Sequence, residues 1–266
     1  MEWSEEDHKL YLVSDMIDSV FVADLDYKSK NAKIIGKLPI VGSPHKKGLE
    51  SIRKNGSTFY LTYEKDVDLN GLRTATAFVA KAKLRNQIIE VERNIQFSNL
   101  PNNKGIEGLT LSSNKKSVWF SHETMNNHKQ GIDSAKFVNC DTNLVIKKEV
   151  WYKLPSQSYF GANENAYDDY GITEILFVKD SLYVLERGFG INNNKPELFI
   201  DLQKIFSENF KRSKSLFTFP SNLESRNCVD NFEGMCYLPQ ENKLLIISDD
   251  NKNRKNQKTI LRILMP

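Results

Sequence analysis

The chain has 266 residues, 37 of them basic and 34 acidic in mixed order, a formal charge of +3 and 39% hydrophobic content. Such a balance is a solvated surface over a core large enough for one domain, and it offers no basic stripe to nucleic acid. No apolar run approaches the roughly 20 residues of a membrane-spanning helix, and three cysteines, Cys140, Cys228 and Cys236, do not make a disulfide or zinc framework.

The first residues, Met1-Glu2-Trp3-Ser4-Glu5-Glu6-Asp7, are not an export signal. The apolar run Leu10-Tyr11-Leu12-Val13 then closes on Ser14-Asp15, and Ser19-Val20-Phe21-Val22-Ala23 reads as a strand. Gly48-Leu49-Glu50 opens a second apolar pair of segments that turns at Lys54-Asn55-Gly56-Ser57 and closes at Tyr63-Glu64. After a strand-like Thr76-Ala77-Phe78-Val79-Ala80, the same unit returns as Gly105-Ile106-Glu107-Gly108, a turn at Ser112-Ser113-Asn114-Lys115-Lys116, and His122-Glu123. These turn residues tolerate positive φ or bond their own backbone, so each unit predicts a β-hairpin.

Lys136-Phe137-Val138 follows as a further strand. The stretch from Tyr152 to Tyr170 has no strand pattern and precedes a repeat, which makes it a candidate substrate loop. Gly171-Ile172-Thr173-Glu174 leads through Lys179-Asp180-Ser181 to Leu185-Glu186-Arg187; Glu197-Leu198-Phe199-Ile200 is a strand, and Leu202 to Glu208 is expected to be a short helix. The last unit runs from Asn231-Phe232-Glu233-Gly234 through Pro239-Gln240-Glu241-Asn242 to Ser248-Asp249-Asp250, and Thr259 to Leu264 supplies a final strand.

The closing acids Asp15, Glu64, Glu123, Glu186 and Asp249 recur at steps of 49, 59, 63 and 63 residues. Four strands per repeat of this length is the content of a propeller blade. The expected fold is therefore all-β: a single β-propeller over residues 1–266, with four-stranded antiparallel blades around a central channel. Five blades are expected, six if a large front segment is missing, because the first blade lacks its opening glycine and acid and reads as truncated at its N-terminus. Since the two strands of a hairpin run antiparallel, both acidic positions of each repeat fall at one edge. Ten carboxylates (Asp15, Glu50, Glu64, Glu107, Glu123, Glu174, Glu186, Glu233, Asp249 and Asp250) are expected to converge on one channel mouth, where cations, arginines or raised pKa values must offset their repulsion.

The run Asp230-Asn231-Phe232-Glu233-Gly234-Met235 followed by Leu244 to Asn251 resembles the final signature of the phytase-like propeller family, also described as "esterase-like activity of phytase". Asp169-Tyr170-Gly171-Ile172-Thr173-Glu174 with Leu182-Tyr183-Val184-Leu185-Glu186-Arg187 is similar to the penultimate repeat of that family. The resemblance implies a bacterial, usually exported propeller that hydrolyses a phosphoester or carboxylester, although this chain shows no signal peptide. The absence of a Gly-x-Ser-x-Gly elbow argues against a serine-esterase mechanism.

Metal-assisted hydrolysis fits the residues better. Glu107, Glu123, Asn231, Glu233 and Asp249 offer hard oxygen ligands to a divalent cation, calcium foremost, which would polarise the substrate and activate water. Arg187 is a candidate clamp for a phosphate or carboxylate, His122 a candidate general base, and Asp250 completes the candidate catalytic set. Each has a plainer role open to it: the acids as caps of backbone N–H groups, Arg187 as a counter-ion, His122 as a core residue. Asp249-Asp250-Asn251-Lys252-Asn253 opens like an EF-hand loop, but Arg254 and Ile260 stand where its glycine and bidentate glutamate belong. The implied partner is a small ester or phosphoester. The alternatives are a noncatalytic propeller that binds a small ligand or protein on the same face, and a lactonase-type propeller, since Glu-Gly at the start of an inner strand is similar to the gluconolactonase family. Trp119 and Trp151 are expected in the core, and His8, His45 and His128 in solvated turns or loops.

Overall fold

A computed structural model describes residues 1–26, 31–64, 76–98, 100, 105–124, 134–154, 167–192, 195–206, 210, 215–222, 231–249 and 259–265. Among them every regular element is a β-strand, and the strands follow one another as five antiparallel meanders. The first holds β1 (Glu2–Ser4), β2 (Lys9–Leu12), β3 (Ser19–Asp26) and β4 (Asn31–Val41). The second holds β5 (Leu49–Asn55), β6 (Thr58–Tyr63), β7 (Ala77–Arg85) and β8 (Ile88–Phe97). The third holds β9 (Ile106–Leu111), β10 (Ser117–His122), β11 (Ser134–Asp141) and β12 (Ile146–Lys153). The fourth holds β13 (Tyr167–Val178), β14 (Ser181–Asn192), β15 (Lys195–Phe206) and β16 (Ser215–Asn222). The fifth holds β17 (Asn231–Leu238), β18 (Lys243–Asp249) and β19 (Leu261–Leu264).

The meanders are arranged as the blades of a propeller. Their first strands neighbour one another in the cyclic order β1, β5, β9, β13, β17 and back to β1. The hydrophobic core is divided accordingly into five clusters, one at each seam. Tyr11 and Val20 of the first blade pack on Ile52 and Phe59 of the second; Val79 of the second meets Leu109 and Phe120 of the third. Phe137 of the third meets Ile175 and Val184 of the fourth, and Leu185 of the fourth meets Phe232 and Met235 of the fifth. Leu10 and Ala23 of the first blade close the ring against Cys236 and Leu245 of the fifth. Each fully buried Leu, Ile or Phe contributes about 1.5–3 kcal/mol, so every seam is held by several such side chains. Among the described residues only the first two blades are also joined by strand pairing, where outer strands β4 and β8 run parallel at Ile40–Ile89 and Val41–Glu90.

At the turn of every inner hairpin one residue near the second strand adopts a left-handed backbone: His8, Gly56, Lys115, Lys179 and Asn242, with φ between 50° and 58°. These five turns lie at the rear of the ring, opposite the strand ends that carry the acids. Between the two faces the axis is filled. Arg53 of β5 is 1% exposed and reaches across the channel, donating from Nη1 to the carbonyls of Met1 and Ile52 at 2.7 and 2.6 Å. From Nη2 it donates to the carbonyls of Ile175 and Met235 at 3.0 and 3.3 Å, and it pairs with the Glu174 carboxylate at 3.2 Å. Glu174 in turn accepts from Ser51 Oγ at 2.9 Å and the Leu109 N–H at 2.9 Å. One ion pair therefore touches the inner strand or entry of all five blades.

Three local expectations are corrected. Leu202–Phe206 belongs to β15, not to a helix: Leu202 packs into the seam with the fifth blade and Ile205 into the seam with the third, the opposite faces that a strand gives to residues three apart. Trp151 is 56% exposed on the outermost strand β12, beneath the Lys136 ammonium at 5.2 Å, whereas Trp119 packs against Phe177 and Phe210. His45 is buried, edge-on to the stacked rings of Tyr63 and Phe78. Residues 155–166 of the candidate substrate loop, Asp250 and the EF-hand-like run after it, His128 and Cys228 lie outside the described residues.

Candidate functional site

At the front face every inner hairpin from the second blade onward carries the same irregularity. Leu49 faces Tyr63 and Ser51 faces Thr62, so Glu50 is an extra residue. Ile106 faces His122 while Leu109 faces Phe120, which sets Glu107 in the corresponding place. Thr173 is skipped between Ile172–Glu186 and Glu174–Leu185, and Glu233 between Phe232–Ser248 and Gly234–Ile247. A bulge re-aims the side chain of the extra residue, and here it does so toward the axis. Glu50, Glu107, Thr173 and Glu233 all line a cavity of about 500 Å³. On each second strand the residue that follows the partner of Leu49, Ile106, Ile172 or Phe232, namely Glu64, Glu123, Arg187 and Asp249, lines it as well, and Asp15 joins from the first blade.

Seven of the ten expected carboxylates thus meet. Two do not. Glu174 stands one residue past the bulge and points into the ring axis toward Arg53. Glu186 stands one residue before the cavity position and is buried, accepting from the phenols of Tyr152 and Tyr170 at 2.6 and 2.8 Å. In the fourth blade the two mouth positions are therefore Thr173 and Arg187, and the ring of acids is broken there by a single cation. The signal was in the spacing: Gly48 to Glu50 and Gly105 to Glu107 are two steps, which selects Thr173 after Gly171.

The recurring glycine has its own role. Closing acids are seated against the start of the next blade: the Asp15 carbonyl accepts from the Gly48 N–H at 2.8 Å and the Glu123 carbonyl from the Ile172 N–H at 3.0 Å, while the Glu123 N–H donates to the Gly105 carbonyl of its own blade at 3.1 Å. A Cβ on Gly105 would stand 2.7 Å from Glu64 Cβ, and one on Gly171 would stand 2.4 Å from Glu123 Cγ and 3.0 Å from its carbonyl oxygen. Gly171→Ala is therefore expected to cost about 1–3 kcal/mol, as overpacking does, and to displace Glu123 from the cavity. Thermal unfolding together with a calcium titration checks this, and both must change.

The carboxylates are compressed electrostatically. Burial pushes Glu50 well above the usual carboxylate range, and Glu107, Glu64, Glu233 and Asp15 push it further. Glu107 is raised well above the range by burial and by Glu123, Glu64 and Glu233, with Arg187 opposing. Burial raises Glu233 more than Arg187 lowers it. Arg187 donates from Nη1 to Asn231 Oδ1 at 2.9 Å, forms a close ion pair with Glu233, and approaches Glu123 at 3.5 Å. Asn231 also donates to Glu233 at 2.6 Å, so the predicted ligands Glu123, Asn231 and Glu233 are connected through Arg187.

His122 is placed elsewhere. It is buried against Phe97 and Phe120, outside the cavity lining, and burial lowers its pKa to about 4. A base role at this mouth is thus corrected by position: the side chain alternates to the seam face of β10, while its neighbour Glu123 reaches the axis.

The donor set is that of a hard cation: carboxylate and amide oxygens, no soft ligand, and repulsion that a bound charge would relieve. Among the described residues no three His, Cys, Asp or Glu side chains are already drawn together as a ligand cluster. Glu107, Glu123, Glu233 and Asp249 nonetheless line a common space.

No curated protein matches this chain. Among solved structures it is similar to a luciferin-regenerating enzyme at 10% identity and a TM-score of 0.46, over 99% of this chain and 89% of the other. It is also similar to the PQQ domain of a pyranose dehydrogenase from Coprinopsis cinerea, at 11% identity and a TM-score of 0.43, over 98% and 80% of the two chains. A bifunctional GH43-CE protein of Bacteroides eggerthii matches at 10% identity and a TM-score of 0.47, over 96% of this chain and 32% of the other. The profile of the phytase-like family, described as "Esterase-like activity of phytase", matches residues 1–252. A profile running through all five meanders, from the first inner strand to past Asp249, makes this chain a member of the phytase-like family.

Proposed function

We propose that the chain is a metal-dependent hydrolase of a small ester or phosphoester, working in the acidic cavity at the front of the ring. The observation that carries this reading is the convergence of seven carboxylates and one arginine, from all five blades, on one space of about 500 Å³. That size suits a small-molecule site. Glu107, Glu123, Glu233 and Asp249, with the amide of Asn231, would hold a divalent cation, calcium first. When bound, it supplies a Lewis acid and a more acidic water.

The side chains divide the remaining work. Arg187, fixed by Asn231 and Glu233, presents the one basic side chain of the cavity lining among the described residues and orients an anionic or carbonyl oxygen of the substrate. Glu50 keeps its proton above the usual carboxylate range and can deliver it to the leaving oxygen as a general acid. Glu64, on the facing strand of the same blade, is placed to take a proton from water. Neither a serine nucleophile nor His122 is required.

Turnover of p-nitrophenyl esters, p-nitrophenyl phosphate and simple lactones, with calcium and with EDTA, tests the reading. The double variant Glu233→Gln/Asp249→Asn is expected to lose calcium binding and all hydrolysis while still melting cooperatively. An unchanged calcium titration in that variant removes the metal assignment. Calcium binding without turnover of any substrate would favour the ligand-binding propeller, and turnover confined to lactones the lactonase.

A further inference from the structure

We propose that the rear face of the ring carries a second site, for a small organic anion with an apolar body. A cavity of about 410 Å³ opens there among the inner-hairpin turns, within the range of small-molecule sites. It is not a continuation of the acidic mouth, because the Arg53–Glu174 pair fills the axis between them. Its charge is also of another kind.

Arg53 lies on its floor. The buried Nε has no hydrogen-bond partner among the described residues, and Glu2 stands 3.8 Å away, beyond hydrogen-bond reach. A buried guanidinium N–H left without an acceptor is costly, and an anionic oxygen would supply one. Lys115 and Lys179 stand on the rim, on the adjacent turns β9–β10 and β13–β14, and the Ser113 hydroxyl donates to the Lys179 carbonyl to tie the two turns together. Among the described residues neither lysine has an ion-pair partner, whereas Lys54 is engaged by Glu6 and Asp7 at 3.2 and 3.3 Å.

The acids of this cavity are Glu2, Glu5 and Glu6, all from the start of the first blade. In the cyclic order the third and fourth blades lie across the axis from the first, so the lining is basic on one side and acidic on the other. An anionic head is therefore drawn toward Lys115 and Lys179. The apolar wall is supplied by Trp3, Leu111, Phe177 and Tyr237, which is the surface an aryl or acyl body would cover.

Naphthalene-2-sulfonate, titrated into the full chain and followed by calorimetry and tryptophan fluorescence, tests the site. Saturable binding is expected, with Trp3 quenched and the quench lost in Trp3→Phe while the heat of binding remains. The variant Lys115→Gln/Lys179→Gln is expected to bind about tenfold or more weakly, and the neutral naphthalene-2-methanol to bind the parent more weakly by a similar factor. Glu233→Gln/Asp249→Asn is expected to leave sulfonate binding unchanged, which separates this site from the hydrolase reading. The proposal is overturned by absence of saturable binding up to the solubility limit, by equal affinity in the lysine variant, or by loss of binding in the front-face variant.

Discussion

Replacing Arg53 by methionine is expected to destabilise the ring by about 3–5 kcal/mol, the range for stripping a buried ion of its partner. Four carbonyls lose a donor and Glu174 is left charged at 1% side-chain exposure. For a chain of this length that is a fall of about 6–20 °C in melting temperature. Adding Glu174→Gln should recover part of the loss, because the amide removes the stranded charge yet can still accept from Leu109 and Ser51. A double-mutant cycle by thermal unfolding measures the coupling. If the two single losses simply add, Arg53 and Glu174 are not the joint closure of the axis described above.

The second large effect is one of pH and calcium together. The carboxyls of Glu50, Glu107 and Glu233 are all raised from the usual 4.5 in the folded chain, so between 4.5 and their raised values the folded state binds more protons than the unfolded one. Stability therefore falls as pH rises through that window, by up to about 1.4 kcal/mol per pH unit for each carboxyl that keeps its proton. In EDTA the melting temperature is expected to drop steadily above pH 4.5, and Glu50→Gln/Glu107→Gln to be more stable than the parent at alkaline pH. Calcium should reverse the drop, by about 2.7 kcal/mol at a hundredfold excess over its dissociation constant, with more effect at high pH because the ion competes with protons. Asp18, raised to about 6 by burial, adds its own slope, and the Glu50/Glu107 variant isolates the cavity from it. A parent chain whose stability in EDTA rises with pH would refute the compressed cluster.

Much of this was legible because a propeller repeats its solution. The glycine, the acid two residues later and the second acid a hairpin away recur because each blade must seat the previous one, and Gly105 against Glu64 shows why a side chain is not tolerated. In the fourth blade the acids stand one residue from the mouth positions in both strands, Glu174 next to Thr173 and Glu186 next to Arg187, so the acid pattern of the sequence is out of step with the cavity there. In a strand a shift of one residue exchanges faces, so Glu174 went to the axis and Glu186 to the seam. The Arg53 plug was not legible, since an arginine five residues after a glycine gives no local sign that its partner lies in a different blade. Nor was the burial of His45, whose aromatic neighbours Tyr63 and Phe78 come from two later strands.

The parallel splice of β4 to β8 gives the assembly an asymmetry of stiffness. Elsewhere among the described residues neighbouring blades meet through interdigitated side chains and isolated hydrogen bonds, such as that from the Ile172 N–H to the Glu123 carbonyl, without strand pairing. The first two blades are instead laminated at their outer rims by Ile40, Val41, Ile89 and Glu90. Any breathing of the ring is thus displaced to the other four seams, so Glu50 and Glu64 rest on a fixed plate while Arg187 and Asp249 occupy the compliant side of the mouth.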